Sequence, residues 1–220
     1  MTKKIFLTST GAGVGKTYIS ALIINKMQES GFDCGYYKPI LNNVVEMCGR
    51  LVDSDVNYII NKTELADEPE NCASYWYKEP ILFKNKTSEI DIDKIKYDFY
   101  QISKKHDYLL IEGQAGITFP IINNKDEKYL LKDFIWELGL SVIIISNTEI
   151  NAINSIMLTA EYAKSNGIEV EGIILNNYES DNPLHWEILE QIESICRINV
   201  LATVTPNSDD IMLLEGLFKE

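Results

Sequence analysis

Six short apolar runs punctuate the chain, and stretches with helical spacing lie between most of them. The runs are 4–9 (KIFLTS), 34–40 (CGYYKPI), 107–113 (DYLLIEG), 141–147 (SVIIISN), 171–177 (EGIILNN) and 199–204 (NVLATV). Several are continuous in Ile, Leu and Val, the mark of strands buried on both faces. Helical patterns cover 16–31, 91–106, 128–139, 151–166 and 183–196. The alternation predicts an α/β fold: a doubly wound, mostly parallel sheet with helices on both faces. Ligands of such sheets sit outside the carboxyl ends of the strands, so the residues that finish each strand are the candidates for chemistry. Segment 41–90 fits the rhythm worst. It carries NN, DSD, NKT, ADEPEN and KNKT, which are loop or cap material. A helix is expected over 55–61, with irregular structure over the carboxyl edge of the sheet elsewhere. No repeat and no Pro/Gly/Ser-rich linker interrupts the chain, so one domain is expected over 1–220.

Charge narrows the partners. Lys and Arg total 20 against 33 Asp and Glu, a net charge of −13 over 220 residues. Such a surface repels a phosphate backbone, so no nucleic-acid partner is expected. An anionic ligand has to be captured by a local positive site. The N-terminal apolar run, IFL, is too short for a secretory segment. No window reaches the roughly 18 apolar residues that span a bilayer. The expectation is a cytoplasmic protein with no membrane partner. Cys34, Cys48, Cys72 and Cys196 form no CxxC pair, which suits reduced, partly buried thiols.

The densest chemistry is STGAGVGKT, between the first strand and the first helix. Gly11, Gly13 and Gly15 let the backbone curl until successive N–H groups point at phosphate oxygens. The positive end of the following helix adds to that field. Lys16 supplies a point charge for the terminal phosphates, and Thr17 offers a hydroxyl to Mg²⁺. The strict phosphate-loop pattern wants Gly at position 10, where this chain has Thr10, so the match is a variant. The bland alternative is a structural glycine turn. The flanking strand and helix favour a nucleoside triphosphate with magnesium.

Magnesium held this way also needs carboxylates. Glu112 ends the strand DYLLIEG, where an unpartnered acid is costly. It suits a metal or base role, or a pairing with a neighbouring Lys. Asp55 lies in DSD, where Asp53 and Ser54 fit a helix N-cap equally well. Lys38 ends CGYYKP, and Pro39 stops the strand ladder. At the carboxyl edge it can grip a transferring phosphoryl group or be a solvated rim lysine.

Taken together, VGKT, GYYKP, DSD, a strand ending IEG, the helix NAINSIMLTAEYA and a strand ending NN resemble dethiobiotin synthetase across nearly the whole chain. The resemblance implies an ATP- and Mg²⁺-dependent ligase of biotin biosynthesis. It would take 7,8-diaminopelargonic acid and CO₂ through a carbamate and a carbamoyl phosphate to a cyclic urea. It assigns catalysis to Thr10, Lys16 and Lys38. Nucleotide binding falls to Gly13, Val14, Gly15, Lys16, Thr17, Tyr18 and Asn176, the last contacting adenine. Substrate binding falls to Ala12, Lys38, Asn42, Asn151 and Asn154, and metal binding to Thr17, Asp55 and Glu112. It further implies a homodimer with the active site at the interface, where the turn 147–154 helps bind the substrate carboxylate.

The departures from that family cluster on the substrate side. Ser9, Gly11, Ala12 and Gly13 replace commoner residues of the loop. Leu41-Asn42-Asn43 follows Lys38-Pro39 in place of a small hydroxyl-bearing turn. Gln114 interrupts the small-residue turn after Glu112, and Ile81-Leu82-Phe83 follows Glu79-Pro80 in place of Ser-Pro. Two other readings are a paralogous amide or carbamate ligase and a ParA/MinD-type switch ATPase. The latter carries a second lysine where this chain has Gly11, and often a basic tail where this one ends acidic. His106 and His185 are expected at the surface or as caps, and Trp76, Trp136 and Trp186 in packing.

Overall fold

A computed structural model describes residues 2–47, 49–79 and 89–212. In chain order the elements are β1 (Lys3–Ser9), α1 (Lys16–Glu29), β2 (Cys34–Tyr37), β3 (Ile40–Asn42), β4 (Val45–Met47), β5 (Arg50–Val52), α2 (Ser54–Lys62), a 3₁₀ turn (Pro69–Cys72), β6 (Tyr75–Tyr77), α3 (Ile92–Ser103), β7 (Tyr108–Glu112), β8 (Pro120–Asn123), β9 (Lys128–Leu130), α4 (Leu131–Glu137), β10 (Val142–Asn147), α5 (Ala152–Ser165), β11 (Val170–Asn176), α6 (Pro183–Gln191), a π-helical turn (Ile192–Cys196) and β12 (Val200–Val204).

The central sheet runs β12-β11-β10-β1-β7-β2, and every pairing in it is parallel. Side chains of successive strand residues point to opposite faces, so β1 feeds two cores. Ile5 and Leu7 join Ile19, Ile23 and Met27 of α1. Phe6, between them, joins Phe99 of α3 and Phe134 of α4. A third core packs α5 and α6 on β10 and β11 through Ile144, Ile156, Ile173 and Ile188. Each such side chain, taken from water, contributes about 1.5–3 kcal/mol. That two-sided burial is why these strands read as unbroken apolar runs.

All six expected central strands are present. The run 34–40 breaks in two: β2 stops at Tyr37, and after Pro39 the chain leaves the main sheet to pair, as β3, with β6. The helix expected over 55–61 is present as α2, and the stretch 41–90 holds more order than expected in the β4–β5 hairpin and in β3 and β6. The helix expected over 128–139 begins only at Leu131, because Lys128–Leu130 pair antiparallel with β8. The signal for that hairpin was Asn124, whose Oδ1 accepts from the Asp126 and Glu127 amides at 2.9 and 2.7 Å and closes the turn. Ile81, Leu82, Phe83 and Cys48 lie outside the described residues. Cys34, Cys72 and Cys196 are free thiols, all buried. No described helix is long and apolar enough to cross a membrane.

Both histidines depart from expectation. The His106 side chain is 6% exposed and lies between Asp33 and Asp67, at 3.0 and 2.9 Å. His185 is buried, and its Nδ1 accepts from the Glu179 amide at 2.9 Å. Trp136 and Trp186 are both exposed, contrary to the packing role expected of them. Trp76 does pack, partly buried, on the α1 core.

Candidate active site

The glycine turn leaves β1 at its carboxyl end. Gly13 and Gly15 have φ of +72° and +92°, a left-handed conformation that disfavours any side chain. Gly15 caps α1 without a side-chain hydrogen bond. The first amides of α1 therefore face the turn with no protein side chain on them, the arrangement that binds phosphate. A Cβ at Gly15 would also stand 2.3 Å from Nδ2 of Asn176.

Beside the turn lies a cleft of about 370 Å³. Ala12, Gly13, Gly15, Lys16, Thr17 and Tyr18 line one side, and Lys38, Asp55, Glu112 and residues 113–115 the other. Distant strands and helices thus deliver most of the expected site to one place. Glu112, at the end of β7, is 1% exposed and sits at the centre. Its Oε1 accepts from Thr17 Oγ1 at 3.0 Å and from Lys38 Nζ at 2.8 Å. Its Oε2 accepts from Ser20 Oγ at 3.1 Å and from the Tyr36 hydroxyl at 2.9 Å. The pairing with a lysine is real, but it lies in the interior and not on a rim.

Lys38 also donates to Asp55 Oδ2 at 2.5 Å. Burial works to lower the pKa of Lys38, but Glu112 and Asp55 outweigh it and hold the ammonium above its usual range. Burial, Glu112 and Asp55 all raise Tyr36, which keeps its phenol a donor. Lys16 goes the other way. Burial lowers it, and the Lys38 charge adds to that, against the pull of Glu112 and Asp55.

The DSD ambiguity resolves by division of labour. Asp53 Oδ1 accepts from the amides of Asp55 and Val56 at 2.8 and 3.1 Å, so Asp53 is the N-cap of α2. Asp55, in the first turn, is left to reach Lys38. Glu112 Oε1 and Asp55 Oδ2 both accept from the Lys38 ammonium, and Thr17 Oγ1 bonds the same Glu112 oxygen, so three hard oxygens are linked at one point. Such a donor set fits Mg²⁺, which takes one or two carboxylates and completes its shell with water and phosphate. Among the described residues no three His, Cys, Asp or Glu side chains cluster as a fully proteinaceous metal site.

The remaining expected residues are spread around this centre. Thr10 Oγ1 donates to Ser146 Oγ at 3.1 Å. Val14 is buried, and its carbonyl accepts from Asn176 Nδ2 at 2.9 Å, while the buried Asn176 Oδ1 has no hydrogen-bond partner among the described residues. Asn42 donates to Gln114 Oε1 at 3.2 Å, and Gln114 Nε2 donates to the Ile40 carbonyl. Tyr18 donates to the Ser208 carbonyl at 2.5 Å. Asn151 and Asn154 are exposed at the start of α5 and do not line the cleft; Asn151 makes no side-chain cap.

Sequence reading missed Ser20, Tyr36 and Ser9. Two of these carried a signal. Tyr36 stands two residues before Lys38, and Ser20 one helical turn after Lys16. Ser9 stood out only as a replacement in the loop, with nothing to say that it would meet Lys16.

A family model described as an AAA domain matches residues 3–212. The chain is similar to the ATP-dependent dethiobiotin synthetase BioD of Clostridium botulinum strain Alaska E43 (type E3), 38% identical over 202 residues, 89% of this chain and 88% of that protein. It is similar to the protein of the same name from strain Eklund 17B (type B), 36% identical over 215 residues, 96% of this chain and 94% of that one. Among solved structures it resembles the MinC:MinD cell division complex of Aquifex aeolicus, with TM-score 0.57, 18% identity, and 92% and 81% of the two chains covered. It also resembles a ParA family ATPase from Chlorobium tepidum TLS, with TM-score 0.57, 14% identity, and 94% and 85% covered. At those identities the structural likeness is one of fold alone.

Proposed function

The chain belongs to the ATP-dependent dethiobiotin synthetase family, and from that premise we propose that its cleft closes the ureido ring of dethiobiotin on 7,8-diaminopelargonic acid. One amine adds to CO₂ and loses a proton, giving a carbamate. A carbamate oxygen attacks the γ-phosphorus of ATP and ADP leaves. The second amine then attacks the carbamoyl carbon and loses a proton, and phosphate leaves, taking up that proton, as the ring closes.

The observation that carries this reading is the Lys38 ammonium held between Asp55 and Glu112, directly beside the Lys16–Thr17 phosphate loop. In this reading Lys38 is a second cation at the point where the acceptor oxygen meets the γ-phosphate. Charge spreads over the phosphoryl oxygens during transfer, and fixed cations there act without reorganising. Lys16 reaches the β- and γ-oxygens, while the amides of Gly13, Val14, Gly15, Thr17 and Tyr18 cradle the phosphates. Thr10, hydrogen-bonded behind the loop, sets its curl. Thr17, Asp55 and Glu112 would hold Mg²⁺, which neutralises phosphate charge when bound. Asn176 offers its unpartnered Oδ1 to the adenine amino group. On the substrate side, Ala12, Lys38 and Asn42 face the diamine, with Asn42 fixed by Gln114. Ring closure then needs mainly that the second amine be held close and aligned.

Asn151 and Asn154 serve across a homodimer interface in this reading, capping the carboxylate of substrate bound to the partner subunit. Ile150 and Leu158, 76% and 65% exposed, flank Asn154 at helical spacing and give that face its apolar contact.

The test is to mix purified protein with diaminopelargonate, bicarbonate and Mg-ATP, following phosphate and dethiobiotin together. Stoichiometric, diamine-dependent release of both is expected. ADP release that ignores the diamine would reject the assigned substrate.

A further inference from the structure

Ser9 is the last residue of β1, and its side chain is buried. Its Oγ is 3.0 Å from Lys16 Nζ, 2.6 Å from the Ala115 carbonyl oxygen and 2.7 Å from that of Gly11. An ammonium only donates, so the hydroxyl accepts from Lys16. The single hydroxyl proton then goes to Ala115 or Gly11. One oxygen atom therefore ties the ammonium to the loop after β7, through Ala115 at the shorter distance, or to Gly11 of the phosphate loop. A lysine ammonium is a point charge with three N–H bonds on a flexible four-carbon stem. With one N–H on Ser9, two remain for phosphate oxygens.

We propose that Ser9 is a positioning residue for phosphoryl transfer, its hydroxyl holding the Lys16 ammonium at the floor of the cleft from an anchor on Ala115. This rests on the reading that the cleft transfers a phosphoryl group from ATP. Ground-state binding of the triphosphate is spread over several loop amides and the start of α1. The charge that develops on the transferring group falls on a few fixed cations, and Lys16 is one of them. Loss of the hydroxyl therefore acts on kcat more than on KM for ATP.

Two substitutions separate this from a merely structural role. Ser9→Ala removes the oxygen, and its methyl keeps a water from taking the same place. Ser9→Gly clears Cβ and Oγ together, room for about one water that can bridge Lys16 and Ala115. Glycine in a strand is less stable than alanine. The expected order of melting temperatures is thus Ala above Gly, while the order of kcat is Gly above Ala.

The experiment measures kcat, KM for ATP and melting temperature for the wild type and both variants. Ser9→Ala should lose about tenfold in kcat with KM for ATP changed by about twofold or less. Ser9→Gly should recover at least about a third of the wild-type kcat by the same bridging water. A Ser9→Ala enzyme with wild-type kcat, or kcat and stability ranking together, would overturn the proposal. Should Ser9→Ala melt below the assay temperature, Ser9→Cys replaces it, since a thiol fills the space but hydrogen-bonds weakly; retained kcat there also overturns it. A wild type with no diamine-dependent phosphate release rejects the parent reading instead, so the two failures are distinct.

Discussion

The ammonium of Lys38 lies 2.8 Å from Oε1 of Glu112, 74 positions away in sequence. The two side chains are 8% and 1% exposed. Pairs that dry are costly to break from one side, because the charge left behind has no water to turn to. Lys38→Met should lower stability by about 3–5 kcal/mol. Combining it with Glu112→Gln should restore part of that loss, since the buried carboxylate is then neutral and Asp55, the other partner of Lys38, is 36% exposed and can turn to water. Urea denaturation of the single and double variants measures both. A single variant costing less than about 1 kcal/mol would mean the pair is solvated in solution.

In the proposed reading Thr17, Asp55 and Glu112 supply the oxygens that take magnesium. Calorimetry of ADP with and without Mg²⁺ should show a metal-dependent gain in affinity for the wild type. Asp55→Asn and Glu112→Gln should each cut that gain by about tenfold or more, with metal-free ADP binding nearly unchanged. Equal loss in both conditions would make the acids architectural.

Burial lowers the pKa of Lys16 below the ordinary 10.5. The group loses its charge as pH rises through that lowered value, and with it the hold on phosphate. The kcat/KM for ATP, which reports on the free enzyme, should fall on an alkaline limb that begins below pH 10.5. Lys16→Arg keeps the charge at all accessible pH and should move that limb upward, although its absolute rate is lower. An unmoved limb would assign it to another group.

Asn176 pairs its amide nitrogen with the Val14 carbonyl and leaves a buried Oδ1 without a partner. Asn176→Leu should raise KM for ATP by about tenfold and narrow the preference over GTP, with kcat nearly held, because one buried hydrogen bond to the base is lost. Unchanged discrimination between the two nucleotides would remove Asn176 from base recognition.

Far from the cleft, His106 bridges Asp33 and Asp67 and lies over Gly35, where a Cβ would come within 2.3 Å of the imidazole ring. Gly35→Ala and His106→Ala should each lower the melting temperature, by about 4–8 °C per kcal/mol in a small domain and less in one of this size. Neither should alter KM for ATP. A coupled change in KM would tie this corner to the site.

By itself the chain determined which segments form the six central strands, where the phosphate loop lies, that Glu112 ends β7 and that Lys38 directly follows β2. Strands buried on both faces need unbroken apolar runs, and a loop that cradles phosphate needs Gly13 and Gly15 at positive φ, so both constraints are local and leave a local trace. Only the tertiary structure decided that Asp53 caps α2 while Asp55 reaches Lys38, and that Tyr36 and Ser20 share Glu112 with Thr17 and Lys38. It likewise decided that His106 is held between two aspartates and that Ser9 faces Lys16. Partner choice in a dry interior depends on which strands lie side by side, here β1 beside β7 and β7 beside β2, and no single segment encodes that order.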